Sequence, residues 1–253
     1  MREMLREKNP AFGGELTAEP NGRGEIALLS INDPNVTDIS PLADLPLIAL
    51  DLFSCGVSDL SPLAGKPIQR LGIDRTKVTD LSPLAGMPLE ILYASETEIS
   101  DISPLAGCRT LKQLNLARSK VSDLSPLRGL PLETLWLNDT PVSDLTPLQG
   151  TSLVSLTIAG TKVKDLSPLR GLPLQRLHIA RSEVTDLTPI RWLRLTRLVF
   201  TPSKIEKGLD EARLMTSLQE IGTAFGEEDW GIETRMYPPD QFWRMYDAGE
   251  LKE

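Results

Sequence analysis

The phrase D-[LI]-[ST]-P-[LI] recurs eight times in this chain, beginning at Asp38, Asp59, Asp80, Asp101, Asp123, Asp144, Asp165 and Asp186. Successive copies lie 21 residues apart, with a single spacing of 22 that comes from an extra residue in "GCRTL" around Cys108. A second phrase, apolar-x-x-apolar-x-apolar, runs in step with it. That phrase starts at Ile26, Leu47, Ile68, Leu89, Leu111, Leu132, Leu153, Leu174 and Leu195. So short a period holds one small structural unit, which cannot bury its apolar side alone. Copies must therefore stack into a solenoid.

Each copy has a physical reading. In "LEILYASET", Leu89, Leu92 and Ala94 are apolar and the residues between them vary, as in a short strand with one buried face. Three residues later comes a ladder of small residues: Cys55, Thr76, Thr97, Ser119, Thr140, Thr161, Ser182 and Ser203. Their side chains suit bonding to the backbone where the chain leaves the strand. A β-branched residue then returns inward, as at Val57, Val78 and Ile99. "DLSPLAG" reads as a helix start, with Ser82 as N-cap, Pro83 at the first helical position and Gly86 at the exit. Its brevity predicts a single 3₁₀ turn. The expected fold is an α/β solenoid of about nine 21-residue coils over residues 26–205, with parallel strands on one face and short 3₁₀ turns on the other.

The strand "LKQLNLARS" and its relatives follow the L-x-x-L-x-L-x-x-[NCT] pattern, and Cys55 occupies a slot where cysteine is accepted. The chain thus resembles the leucine-rich-repeat family, and most of all the short-period bacterial versions of internalin-type proteins. The wording "DLSPLxGLPL" with "PPDQFWRMYDAGEL" is also similar to repeat proteins of planctomycete-type bacteria. In some of those the repeats are attached to protein kinases or sensory modules. No H-R-D or D-F-G phrase occurs here, so any such catalytic part would lie outside this chain.

The ends depart from the repeat. Residues 1–25 predict an N-terminal cap, a short helix followed by a hairpin around Pro20-Asn21-Gly22 that covers an open strand edge. Residues 206–253 predict a C-terminal helical cap, in which Phe242, Trp243 and Tyr246 form a helix or hook, with a docking peptide as the alternative. The exit glycine of the middle coils is Asp44 in the first coil and Trp192 in the last.

Several classes of chemistry are disfavoured. A net charge of −8 argues against general nucleic-acid binding, which needs clustered cations. His178 is the only histidine, which excludes two-histidine metal sites and leaves a mid-strand position as the sole candidate base. Walker, G-x-S-x-G and G-x-G-x-x-G phrases are absent. One aspartate per coil is too sparse for calcium, so the Asp38–Asp186 series reads as complementing helical N-termini. No catalytic residue, metal or cofactor is expected. With no membrane span, no apolar signal core in "MREMLREKNP" and two cysteines at different repeat phases, a cytoplasmic monomer is favoured.

Function must then lie in what differs between copies. Residues between the conserved apolar positions face out of the sheet and share neither size nor charge. Phe53, Ile91, Tyr93 and Trp136 place large groups on a face that should meet water, with polar Arg70, Asn115 and Asn138 among them. Arg176, His178, Arg181 and Arg197 predict a positive end suited to acidic groups. Exposed aromatics beside arginines are what binding hot spots use. The expectation is a non-catalytic module that binds a protein on its strand face. Its alternatives are a sensor or recruitment domain of a larger signalling enzyme, or a small-molecule or glycan binder using pairs such as Tyr93 with Asn115.

Overall fold

Stacking a repeat requires each coil to offer the same backbone edge to the next, and the computed structural model shows how the sequence arranges this. The structure describes residues 1–225 and 234–252. The described chain forms two compact units, Met1–Leu132 and Glu133–Glu253.

In the first unit a helix, α1 (Arg2–Lys8), is followed by β1 (Glu15–Pro20) and β2 (Ile26–Asn32), then by three-residue strands β3 (Ala49–Asp51), β4 (Arg70–Gly72), β5 (Ile91–Tyr93) and β6 (Gln113–Asn115). β1 pairs antiparallel with β2, and every later pair is parallel. Leu29, Leu50, Leu71, Leu92 and Leu114 are direct partners along the ladder, so the repeat period and the sheet register coincide. All five point into the core with Leu52, Ile73 and Ala94 behind them. The hairpin turn places its positive φ at Gly24, not at Gly22, and Asn21 ties the turn through Arg23 and Glu25 backbone N–H groups. Buried Asn9 donates to the Leu5 and Asp38 carbonyls and accepts from the Thr37 and Asp38 N–H groups. A buried amide so fully bonded fixes the first helix on the first coil at no desolvation cost.

The second unit carries β7 (Thr134–Trp136), β8 (Ser155–Thr157), β9 (Arg176–His178), β10 (Arg197–Val199), β11 (Glu220–Ala224) and β12 (Arg235–Tyr237), with α2 (Leu209–Arg213) and α3 (Pro239–Asp247). Thr134, Ser155, Arg176, Arg197 and Glu220 are successive parallel partners, so the parallel ladder runs on past residue 205. β12 closes that edge antiparallel to β11. Phe242 of α3 is fully buried against Phe200, ring centroids 5.8 Å apart, with Trp243 edge-on to it at 5.0 Å.

The turn side is uniform. Each S-P-L or T-P-[LI] segment forms a 3₁₀ turn whose leucine or isoleucine is buried. Ser82 is the first residue of its turn and not the cap, because the acceptor is the aspartate two residues earlier. Asp80 Oδ1 accepts the Ser82 N–H at 2.8 Å, and Asp59, Asp123, Asp165 and Asp186 repeat the arrangement. Hydrogen bonds from the Ser82 hydroxyl and N–H hold the Asp80 carboxyl below its ordinary value. Gly65, Gly86, Gly129, Gly150 and Gly171 leave the turn with positive φ; Gly107 does not, because the extra residue near Cys108 extends that turn to Ser103–Gly107.

The small-residue ladder is structural. The hydroxyls of Thr76, Thr97, Thr140, Thr161 and Ser182 are buried and donate to the carbonyl three residues back at 2.6–2.8 Å. Cys55 donates to the Ile31 carbonyl instead. Ser203 differs from the rest: it is exposed, within a 3₁₀ turn.

Candidate binding face

Strand residues flanking each buried leucine form two outward columns, joined by a third just after the strand. In the first unit they enclose a groove of about 520 Å³ over β1–β5. Its walls include Leu28, Phe53, Ile91 and Tyr93, with Glu19, Asp51, Arg70 and Asp74 as polar groups. Tyr93 and Leu28 are 37 % and 38 % exposed, and neither supports the core. Gly72 makes the depression: a Cβ there would stand 2.7 Å from Asp51 Oδ1. Burial, with the neighbouring Asp74 charge also acting, pushes the Asp51 carboxyl above its ordinary value. The Arg75 guanidinium lies 5.2 Å from the Phe53 ring centroid and bonds Glu96 at 2.8 Å, fixing one edge of the groove. Tyr93 donates its hydroxyl to Gln113 at 3.2 Å. Asn115, the expected partner of Tyr93 in a glycan site, is committed to a local turn, accepting the Ala117 N–H at 3.0 Å.

The second unit uses the same columns differently. Trp136 is half-buried, and Asn138 and His178 are buried, His178 being only 6 % exposed. This corrects the expectation that Asn138 and His178 face solvent. Burial, with the Arg181 charge as a second cause, lowers the imidazole pKa to about 4, so the ring is neutral and no cation at pH 7. Of the expected positive end, Arg181 and Arg197 have carboxylate partners, whereas Arg176 is exposed and meets only a hydroxyl. Arg197 pairs with Glu220 and stacks 4.2 Å from the Phe225 ring, Arg181 reaches Asp139 at 3.2 Å, and Arg176 donates to Ser155 at 3.3 Å. Of the predicted residues, Phe53, Arg70, Ile91 and Tyr93 come together in the groove, whereas Trp136, Asn138, Arg176, His178 and Arg197 belong to the second unit and Asn115 lies outside the groove lining.

One column escaped sequence reasoning. Ser54, Arg75, Glu96, Arg118, Asp139 and Arg181 all have φ of 53–59°, and Gly160 holds the same register at 67°. Non-glycine residues visit this region at a cost, so a whole column of them marks a backbone corner that the coil imposes. Gly160 does more: a Cβ there would lie 2.1 Å from Asp139 Oδ1, so its absence clears the path along which Arg181 reaches over to Asp139.

Among the described residues no group of three or more His, Cys, Asp or Glu side chains is placed to hold a metal ion. Burial pushes the Cys55 thiol up to about 11 and raises the Cys108 thiol also, which disfavours the thiolate at both. No helix among the described residues is long and apolar enough to cross a membrane.

Comparison with known proteins agrees with this geometry. Residues 89–129 match the family model described as leucine rich repeats (2 copies). The fold is similar to internalin C2 of Listeria monocytogenes, with 33 % identity and a TM-score of 0.65 over 70 % of this chain and 81 % of that one. It is also similar to an internalin (inlF) of the same species, at 25 % identity and a TM-score of 0.68 over 88 % and 68 % of the two chains. The functional domain of InlJ from that species, which includes a cysteine ladder, shares the fold at 21 % identity and a TM-score of 0.58, over 78 % of this chain and 48 % of that one. No curated protein matches the sequence. The chain belongs to the leucine-rich-repeat family and is a protein of the bacterial internalin-like kind.

Proposed function

We propose that this chain is a non-catalytic protein-binding module whose recognition centre is the strand-face groove of the first unit. The observation that carries this reading is the exposure of Leu28 and Tyr93 beside Phe53 and Ile91, on a face where coil packing demands no particular side chain. Large apolar groups lining a groove with charged residues among them have the composition of an interface centre with a polar rim. Residues 1–25 and 206–253 act as end covers in this reading, since β1 pairs along β2 and β12 along β11, while Phe242 of α3 packs on Phe200.

A photo-crosslinking residue placed at Leu28, in extract from the source organism, tests the proposal. It should trap a discrete protein that the same residue at Arg128, on the turn side, does not trap. Equal products from both positions, or from Arg128 alone, would assign binding to another face.

A further inference from the structure

The turn side of the second unit carries a feature that the strand-face reading does not use. Where the middle coils leave their turns through glycine, the last has Trp192, and its indole is 55 % exposed. The Arg170 guanidinium lies 4.8 Å from the ring centroid and that of Arg191 lies 5.1 Å from it. A hollow of about 270 Å³ opens beside them, lined also by the Ser167 and Thr188 segments. A second hollow of about 430 Å³ shares Arg191 and adds Arg194 and Leu214, whose side chain is 76 % exposed. Glu211 is the acidic residue of this lining, 4.0 Å from Arg191.

We infer that this patch is a second docking surface, and that it takes an acidic segment of a partner protein carrying a large apolar side chain. Charge selects the occupant: the two linings hold three arginines and one glutamate, and the nearby Asp165 and Asp186 are bonded to the Ser167 and Thr188 N–H groups, which leaves Arg170 and Arg194 to meet acidic groups. Apolar contact supplies the anchor, because Trp192 and Leu214 are both large and more than half exposed. An indole contacted by two guanidinium groups loses less freedom on binding than a bare one, which lowers the ordering cost. Segments with acids alone would meet the arginines but leave the indole wet, and basic segments would be repelled. The patch belongs to the second unit and its lining shares no residue with the strand-face groove.

Fluorescence anisotropy with the full chain and three labelled octapeptides tests this: alternating glutamate and leucine, alternating glutamate and serine, and alternating lysine and leucine. The glutamate–leucine peptide should bind best, weaken as salt rises, and bind about ten-fold or more weakly to Trp192→Ala and to Arg170→Glu. Tyr93→Ala should bind it normally, which separates this surface from the groove. Failure of that peptide to bind, equal binding by the lysine peptide, or indifference to Trp192→Ala would overturn the inference. So would concentration-dependent self-association in sedimentation that Trp192→Ala abolishes, which would assign the patch to a second copy of the chain.

Discussion

The strand faces of the two units are built from one repeat and differ in how far their side chains are exposed and paired. In the first, the outward columns leave a groove in which Tyr93 and Leu28 stand open to solvent. In the second, the same columns turn on themselves: His178, Asn138 and Val199 are buried, and Arg181 and Arg197 are held by Asp139 and Glu220. A repeat thus fixes where a side chain is presented but not whether it is available. Availability depends on neighbours one or two coils away.

Inward positions should show no such contrast, and they offer the largest effect. Leu114→Ala in the first unit and Leu156→Ala in the second each remove a side chain from a fully packed core. Each should cost about 2–5 kcal/mol in denaturant titration. A loss confined to one unit would break the premise that both share one core pattern.

His178 sharpens the contrast through pH. With its folded pKa near 4 and an unfolded value near 6.5, the unfolded chain holds the proton more tightly between those limits. Stability is therefore complete above about pH 6.5 and falls as pH drops towards 4, by about 3 kcal/mol from this residue. His178→Gln should flatten that part of the stability–pH curve. An unchanged slope would mean that the imidazole is hydrated and the outward column open there as well.

A smaller effect is expected at Gly160. An alanine would keep the positive φ at a strain of about 1 kcal/mol and drive its Cβ into the Asp139 carboxylate, breaking the reach of Arg181. Thermal melting of Gly160→Ala and Arg181→Ala, alone and combined, should show the two losses to be non-additive. Full additivity would mean that the glycine serves only the backbone corner.

How much of this was legible in the sequence follows from what each feature depends on. Register, buried leucines and 3₁₀ turns were readable because each repeats with the period, so one correct reading serves every copy. β11 was half-visible, its phrase reduced to Leu218, Ile221 and Thr223. The positive-φ column was not, since Ser54, Arg75, Glu96 and Arg181 share no chemistry and only Gly160 hints at the conformation. The burial of His178 and the self-pairing of the arginines were misread for another reason. Those features arise between side chains 21 to 42 residues apart, and a pattern read one strand at a time treats each as alone. The cap was displaced by two residues because a 3₁₀ turn this short takes its acceptor from the aspartate before it, as Asp80 does for Ser82.

The central proposal is that the strand-face groove of the first unit binds a partner, whereas buried outward residues of the second, such as His178, serve stability. Its most direct test measures melting temperature and affinity for the crosslinked partner in Tyr93→Ala and His178→Ala side by side. Tyr93→Ala should melt within about 0.5 kcal/mol of the parent yet bind about ten-fold or more weakly, the usual loss for a truncated aromatic anchor. His178→Ala should melt lower and, while folded, bind as the parent does. A Tyr93→Ala protein that binds normally but loses stability, beside a stable His178→Ala protein that no longer binds, would contradict the account.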